Sequence, residues 1–367
     1  NSPHGETTSL DPQPLPAVFN LKRYNFLMRF FSRLVVFAAT TLVSARLQAQ
    51  PRDWRGPLPI ENQRPFQATF LHLPAQNPDV LARNQAQIGV QFDLANHLLI
   101  PNPSNGAVVR EDFETARAKI EFRRGLGRGL EAAVAVQAFA RGGGVLDGPI
   151  SFYHRLLGLG GDGPDNPQGR DETARGRDIL FFQDANGNGV NEDGGYGLGD
   201  TSFSLKRQIS SGKFASAARF GLKIPTGSSG KIFGSGGFDG AIGLDARLAL
   251  ASNLALFGQV AALKFGGADV PNSDKNGAQG GLGFEYRGRR ASIVAQIDAQ
   301  TRTVTTGNRF ADRTPVLASV GYKRDLSRNR RIWASFSENG DYHNFNAPFF
   351  GNIGPDFTLS LGFEVRR

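Results

Sequence analysis

The sequence predicts an all-β protein: a transmembrane, up-and-down antiparallel β-barrel of about twelve strands, with a short helix in one long external loop. Three observations predict it. The first is strict alternation. Phe357, Leu359, Leu361, Phe363 and Val365 alternate with Asp356, Thr358, Ser360, Gly362 and Glu364, so a strand there carries one apolar and one polar face. Residues 291–301 and 315–325 repeat the pattern. These runs are nearer the roughly 9 to 11 residues of a tilted membrane strand than the roughly 5 to 6 of a globular one. The second observation is that short and long connections take turns along the chain, as in barrels with short periplasmic turns and long external loops. The third is a low mean hydropathy, −0.30, with no apolar run of the roughly 18 residues that a spanning helix needs. Barrels have this profile because every second strand residue faces the lumen.

In chain order, residues 1–27 show neither period and are expected to be disordered or an upstream non-native segment. Residues 28–49 have the make-up of a secretory signal peptide. Arg29 and Arg33 precede an apolar core at 34–43, and Leu47-Gln48-Ala49 forms a small-residue cleavage site. The exported chain is expected to begin at or near Gln50, and an intact mass that retains residues 34–43 would contradict this. Residues 50–86 are rich in proline, with one short alternating piece at 66–73, and read as a periplasmic lead-in or an inward plug. Residues 87–367 form the barrel.

Its strands are expected at 87–94, 115–123, 130–141, 198–208, 214–224, 238–250, 254–265, 277–287, 291–301, 315–325, 331–338 and 356–365. The connections at 125–129, 209–213, 251–253, 288–290 and 326–330 are short, and those at 96–113, 142–197, 225–237, 266–276, 302–314 and 339–355 are long. Both ends of the chain then fall on the short-turn side, which requires an even strand number. In 214–224 the alternation points Phe220 at lipid and Arg219 at the lumen. Arg219→Gln is accordingly expected to cost little stability.

Composition narrows the function classes. With Gly 46, Phe 29 and Cys 0, the chain suits a glycine- and aromatic-rich β-protein of an oxidising route and excludes a structural disulfide or a thiolate metal site. The net charge of +9 raises nucleic acid as a partner, but the basic residues are spread over strands and turns without aromatic platforms. No nucleic-acid role is expected.

Three groups of side chains are candidates for function. Arg117, Lys119, Glu121, Arg123, Arg219 and Lys223 lie on polar or face-switching positions and are expected to line the lumen. There the cations either draw anions inward or pair with Asp93, Glu121, Glu131, Asp200 and Asp245 in a packed, closed interior. Asp184, Asn186, Asn188, Glu192 and Asp193 place oxygen atoms at near-alternate positions of loop 184–193, with Gly189 sixth, so Ca2+ is the candidate cofactor there. Gly195 stands where a calcium loop has its bidentate glutamate, and a metal-free Asn/Gly loop is the plainer reading. Ser151 and His154, three apart on a helical-looking stretch at 149–157 with Asp147 nearby, are the catalytic candidates. No glycine-flanked nucleophile elbow accompanies them, which makes catalysis the weaker reading.

Gly142-Gly143-Gly144-Val145-Leu146-Asp147-Gly148-Pro149-Ile150, followed by Phe152, His154, Gly158-Leu159 and Arg170-Asp171, forms a distinctive insertion. Asn62-Gln63, Pro65-Phe66, Gly125-Leu126-Gly127 and Tyr196-Gly197-Leu198-Gly199-Asp200 flank it. With these motifs the chain, from about Gly56 onward, resembles a family of Gram-negative outer-membrane β-barrel proteins defined only as a domain of unknown function. The resemblance implies a barrel in the outer membrane and assigns no activity. Three functions are then in play: a narrow pore or carrier for small solutes, a lipid-modifying enzyme using His154, and a structural or surface-binding barrel acting through its long loops. The first leads. The expected partners are outer-membrane lipid, the outer-membrane assembly machinery and a small-molecule solute, with the protein a monomer.

Overall fold

A strand with one wholly apolar face buries that face in a soluble protein and turns it outward in a membrane barrel. Here it is turned outward. Phe92, Ile120, Phe220, Ile242, Val260, Leu282, Ile297 and Leu361 are exposed, while Asp93, Arg117, Arg219, Asp245, Gln259, Gln279, Gln296 and Ser360 are buried. The structure, a computed structural model, describes residues 54–101, 103–144, 146, 178–267, 269–338, 350–351 and 355–367. The chain divides into two units, Asn1–Arg52 and Asp53–Arg367. The first unit, which holds the expected signal peptide, lies outside the described residues, and so does the helix expected at 149–157.

The strands are β1 (Ala86–Leu99), β2 (Val108–Gly127), β3 (Leu130–Gly142), β4 (Ile179–Gln183), β5 (Gly189–Glu192), β6 (Gly195–Leu198), β7 (Thr201–Ser210) and β8 (Phe214–Ile224). They continue as β9 (Asp239–Ala249), β10 (Leu254–Lys264), β11 (Asn276–Arg287), β12 (Ala291–Gln300), β13 (Thr314–Asp325), β14 (Arg330–Glu338), β15 (Phe350–Gly351) and β16 (Phe357–Arg366). Neighbours in sequence pair antiparallel, and β1 pairs with both β2 and β16, which closes the sheet on itself. β6 and β7 pair with successive stretches of β3, Arg141 to Ala138 and Ala135 to Leu130, and act as one wall strand interrupted at Gly199 and Asp200. The wall is thus the twelve-stranded barrel that the alternation predicts.

Three small elements lie off this ring. β4 pairs with residues 108–112 of β2, above the point where β3 leaves it, and β5 folds back on β4. β2 is long, 20 residues, because it serves both the wall and this projecting hairpin. β15 makes a two-residue parallel contact with β13. At the other end of the barrel the strands turn tightly. Gly127 faces Leu130 across the β2–β3 turn, and the two residues between them, Arg128 and Gly129, have φ of 52° and 73°. Two positive φ values are what a two-residue turn matched to strand twist requires.

Candidate functional site

Inside the wall lies residues 54–85, which enter and leave at the short-turn end and reverse near the long-loop end. Apart from its last residues, Asn84 and Gln85, which exchange backbone bonds with Gly125 of β2, the segment makes no ladder with the wall among the described residues. Its backbone groups are instead met by inward-facing wall side chains, as buried N–H and C=O groups demand. Near its start the Glu285 carboxylate accepts from the N–H of Arg55 at 3.1 Å and of Gly56 at 2.9 Å. Lys323 donates to the carbonyl of Pro57 at 2.6 Å. The Gln296 side-chain amide accepts from Leu58 N–H at 2.7 Å and donates to Leu58 C=O at 3.1 Å, so that one residue reproduces both bonds of a strand partner. Gln279 does the same for Leu73 on the returning arm, at 3.0 and 2.5 Å. Asp239, Asp245 and Glu131 then accept from the N–H groups of Leu71, Gln76 and Leu81 at 2.8, 3.0 and 2.8 Å. The arms touch where Asn77 donates to the Trp54 carbonyl at 2.9 Å.

Two wall glycines make room for this segment. A Cβ at Gly221 would lie 2.7 Å from Cδ2 of Leu73, and one at Gly321 would lie 2.6 Å from Cδ2 of Leu58, both closer than carbon atoms pack. The absence of side chains at these inward positions lets the segment lie against the sheet.

At the apex a single helical turn, Pro65–Ala68, reverses the chain. Arg64 pairs with Glu111 of β2 at 2.6 Å, with both side chains only 2% exposed, and donates to the Ala311 carbonyl at 3.2 Å. Beside this pair the apex becomes apolar. Phe66 meets Phe182 edge-on at 5.3 Å between ring centroids, and Phe70 meets Phe265 at 5.1 Å. Leu99, Val109, Phe113 and Leu263 of the wall belong to the same buried cluster. The lumen is therefore polar toward the short turns and apolar toward the long loops, with the internal segment filling both.

Each of the six residues expected at the lumen is drawn into an ion pair. Arg117 and Lys119 converge on Glu61 of the internal segment, and Arg117 also bonds Asp93 at 2.8 Å. Arg123 pairs with Glu121. Arg219 donates to Asp245 at 3.2 Å and to the Leu73 carbonyl at 3.3 Å. Lys223 sits 2.5 Å from Asp200 and 3.2 Å from Asp239. Of the two interiors open to the sequence, these pairs have the geometry of the packed one. Buried this way, Arg219 is no longer a residue that glutamine replaces at little cost, because Asp245 would lose its cation.

The residues of the candidate calcium loop cap the β4–β5 hairpin. Asp184 Oδ1 accepts from the N–H groups of Asn186 and Asn188 at 2.8 and 2.9 Å, an Asx-type turn. Its Oδ2 accepts from the side chains of Asn272 at 2.9 Å and Asn188 at 3.2 Å. The Asn272 bond, then those from Asn188 and Asn186, hold the Asp184 carboxyl below its ordinary range. Glu192 lies in β5 opposite Leu180, and the carbonyl of Asp193 accepts from Arg141 at 3.4 Å. Among the described residues no three His, Asp or Glu side chains gather in a metal-holding cluster. Asp184→Ala is expected to raise proteolytic cutting at residues 184–188 to the same extent in chelator and in millimolar calcium. A calcium-dependent difference would restore the metal reading. Asp147, Ser151 and His154 lie outside the described residues.

Sequence reasoning did not single out Glu61, Glu285, Gln279, Gln296 or Lys323 as functional. Gln279, Gln296, Glu285 and Lys323 occupy inward positions of the alternation, which was a usable signal for facing. Nothing local tells that their partners lie 206 to 266 residues away in the internal segment.

The family model described as "Protein of unknown function (DUF3187)" matches residues 33–366. No curated protein matches the chain. Among solved structures the chain is similar to an outer-membrane channel from Pseudomonas putida F1, with 11% identity, a TM-score of 0.51, and cover of 81% of this chain and 100% of that one. A toluene transporter from Ralstonia pickettii, TbuX, aligns at 11% identity and a TM-score of 0.36, over 83% of this chain and 98% of that one. The KdgM porin aligns at 8% identity and a TM-score of 0.39, over 76% and 98%. At such identities the first of these shows a shared fold.

Proposed function

The chain belongs to the family described as Protein of unknown function (DUF3187), and for this member we propose a gated channel for small solutes in the outer membrane of a Gram-negative bacterium. Residues 54–85 are its internal gate. One observation carries the reading: the segment that fills the lumen is held by side chains and not by a sheet ladder. Side-chain contacts can be exchanged one by one without opening the wall, whereas withdrawing a wall strand would break the barrel. The apolar cluster around Phe66 and Phe70 at the long-loop end favours solutes with an apolar body, which reach an apolar mouth before the polar interior. The ion pairs leave little free charge in the passage, so weak ion selectivity is expected.

Conductance of the refolded protein in planar bilayers under a salt gradient tests this. The native chain is expected to open rarely, with a reversal potential near zero. The double variant Gln279→Ala, Gln296→Ala, which removes both amide clamps, is expected to open far more often. Silence of both proteins across many insertions would remove the channel reading and leave a barrel that works through its loops.

A further inference from the structure

The short-turn end of the wall carries a one-sided band of outward arginines. On each strand concerned the arginine continues the exposed apolar face by one or two outward positions. Arg207 follows Leu205, Arg124 follows Phe122, Arg324 follows Tyr322, Arg330 precedes Ile332, and Arg367 follows Phe363 and Val365. All five arginines are exposed. They form an arc, because the strands run β7, β3, β2, β1, β16, β14, β13 around the wall. Arg207 stands opposite Leu130 of β3, and Arg124 opposite Ala86 of β1. Arg367 bonds Ala86 from the other side, at 2.8 and 2.9 Å. Arg330 faces Val365, and Arg324 faces Ile332. None of the five forms an ion pair among the described residues, and no acidic side chain points outward at this end of the arc. The other half of the wall ends differently, in exposed Phe214, Leu250 and Tyr286.

We infer that this arc binds the headgroups of anionic phospholipids in the periplasmic leaflet. The five stand on outward positions near the end of the apolar belt, where Arg207 also donates to the carbonyl of Arg128. The belt thins beyond them to the single exposed side chains Leu126, Ile209 and Leu326, and this is the level where headgroups sit against a barrel. An arginine there lays its stem on apolar surface and extends its guanidinium to phosphate, which it grips through paired N–H donors. A soluble acidic partner docking end-on would meet the turn tips instead, at Arg128, Arg289, Arg290 and Arg328, all exposed. The inference rests on the outer-membrane reading, which supplies the leaflet.

The test uses the full chain refolded into phosphatidylcholine vesicles that contain trace spin-labelled phosphatidylglycerol or spin-labelled phosphatidylcholine. The fraction of label held at the protein surface is measured by electron paramagnetic resonance. A basic side chain near a membrane surface favours anionic lipid by about fivefold, so an excess of about threefold is expected once averaged over the whole wall. Salt should screen it. Replacing the five wall arginines by glutamine should abolish the preference, and replacing them by lysine should retain much of it. The tip variant R128Q, R289Q, R290Q, R328Q should leave it unchanged. Equal association of the two labels with the native chain would overturn the inference, as would a preference untouched by salt. The latter needs no variant, so failed folding of the five-fold substitution does not protect the idea. Loss of preference in the tip variant alone would place the lipid contact at the turn tips and overturn the assignment to the wall arginines. A chain that never enters vesicles would overturn the outer-membrane reading itself, a result distinct from entry without lipid preference.

Discussion

Arg64→Ala is expected to unseat the apex of the internal segment and to destabilise the protein by about 3 to 5 kcal/mol, the usual cost of stranding one member of a buried ion pair. Glu111 would be left 1% exposed without the guanidinium whose Nε and Nη2 both contact its carboxylate, at 2.6 to 3.0 Å. The Ala311 carbonyl would lose its donor as well. Reversible urea denaturation in vesicles measures the loss, and bilayer recordings of the same variant should show more frequent opening. Arg64→Met with Glu111→Gln removes both charges together and is expected to recover part of the stability, because no bare charge remains. A loss below about 1 kcal/mol for Arg64→Ala, the range of exposed pairs, would mean that Arg64 and Glu111 face water.

Phe220→Arg should cost about 2 to 4 kcal/mol in bilayers, because it forces a cation onto the lipid face of β8. Phe220 is 49% exposed on the outer wall, between strands whose outward residues opposite it are Leu205 and Ile242. Phe220→Leu keeps that face apolar and serves as the control, with little effect expected. Leu361→Arg in β16 repeats the test at a second site, since Leu361 is 61% exposed and pairs with Phe92 and Ala334. An arginine tolerated at both positions would mean that this face does not meet lipid. A slip of one residue in either strand would exchange its two faces, so the pair also tests register.

The wall was legible in the sequence because its information is local. Strand period is two and the apolar face is written residue by residue. The expected 214–224 coincides with β8, and the expected 130–141 with all but the last residue of β3. Boundaries failed where pairing left the ring. β2 begins at Val108 and not near 115, because the β4 hairpin extends it. β6 lies apart from β7, because Gly199 and Asp200 interrupt the run. The interior was far less legible. Outside 66–73, residues 54–85 carry no period, because wall side chains distant in sequence satisfy their backbone. Residues 66–73 alternate yet form a helical turn and an extended return, with Phe66 and Phe70 drawn into the apolar cluster. The lumen cations could be placed inward from the pattern alone. Glu61, which takes both Arg117 and Lys119, lies outside any strand and had no signal.

The proposed gate can be locked. The chain has Cys 0, so Leu73→Cys with Gly221→Cys introduces a single pair of thiols, one on the internal segment and one on the wall. A Cβ at Gly221 lies 3.4 Å from Leu73 Cγ, which brings the two Cβ atoms near the roughly 3.5 to 4.5 Å of a disulfide. Bilayer conductance is then recorded in oxidant and again after a reductant. The oxidised double variant is expected to stay shut, and reduction to restore opening in the same membrane. An oxidised, cross-linked variant that opens as freely as its reduced form would contradict it, since residues 54–85 would then not be what closes the lumen.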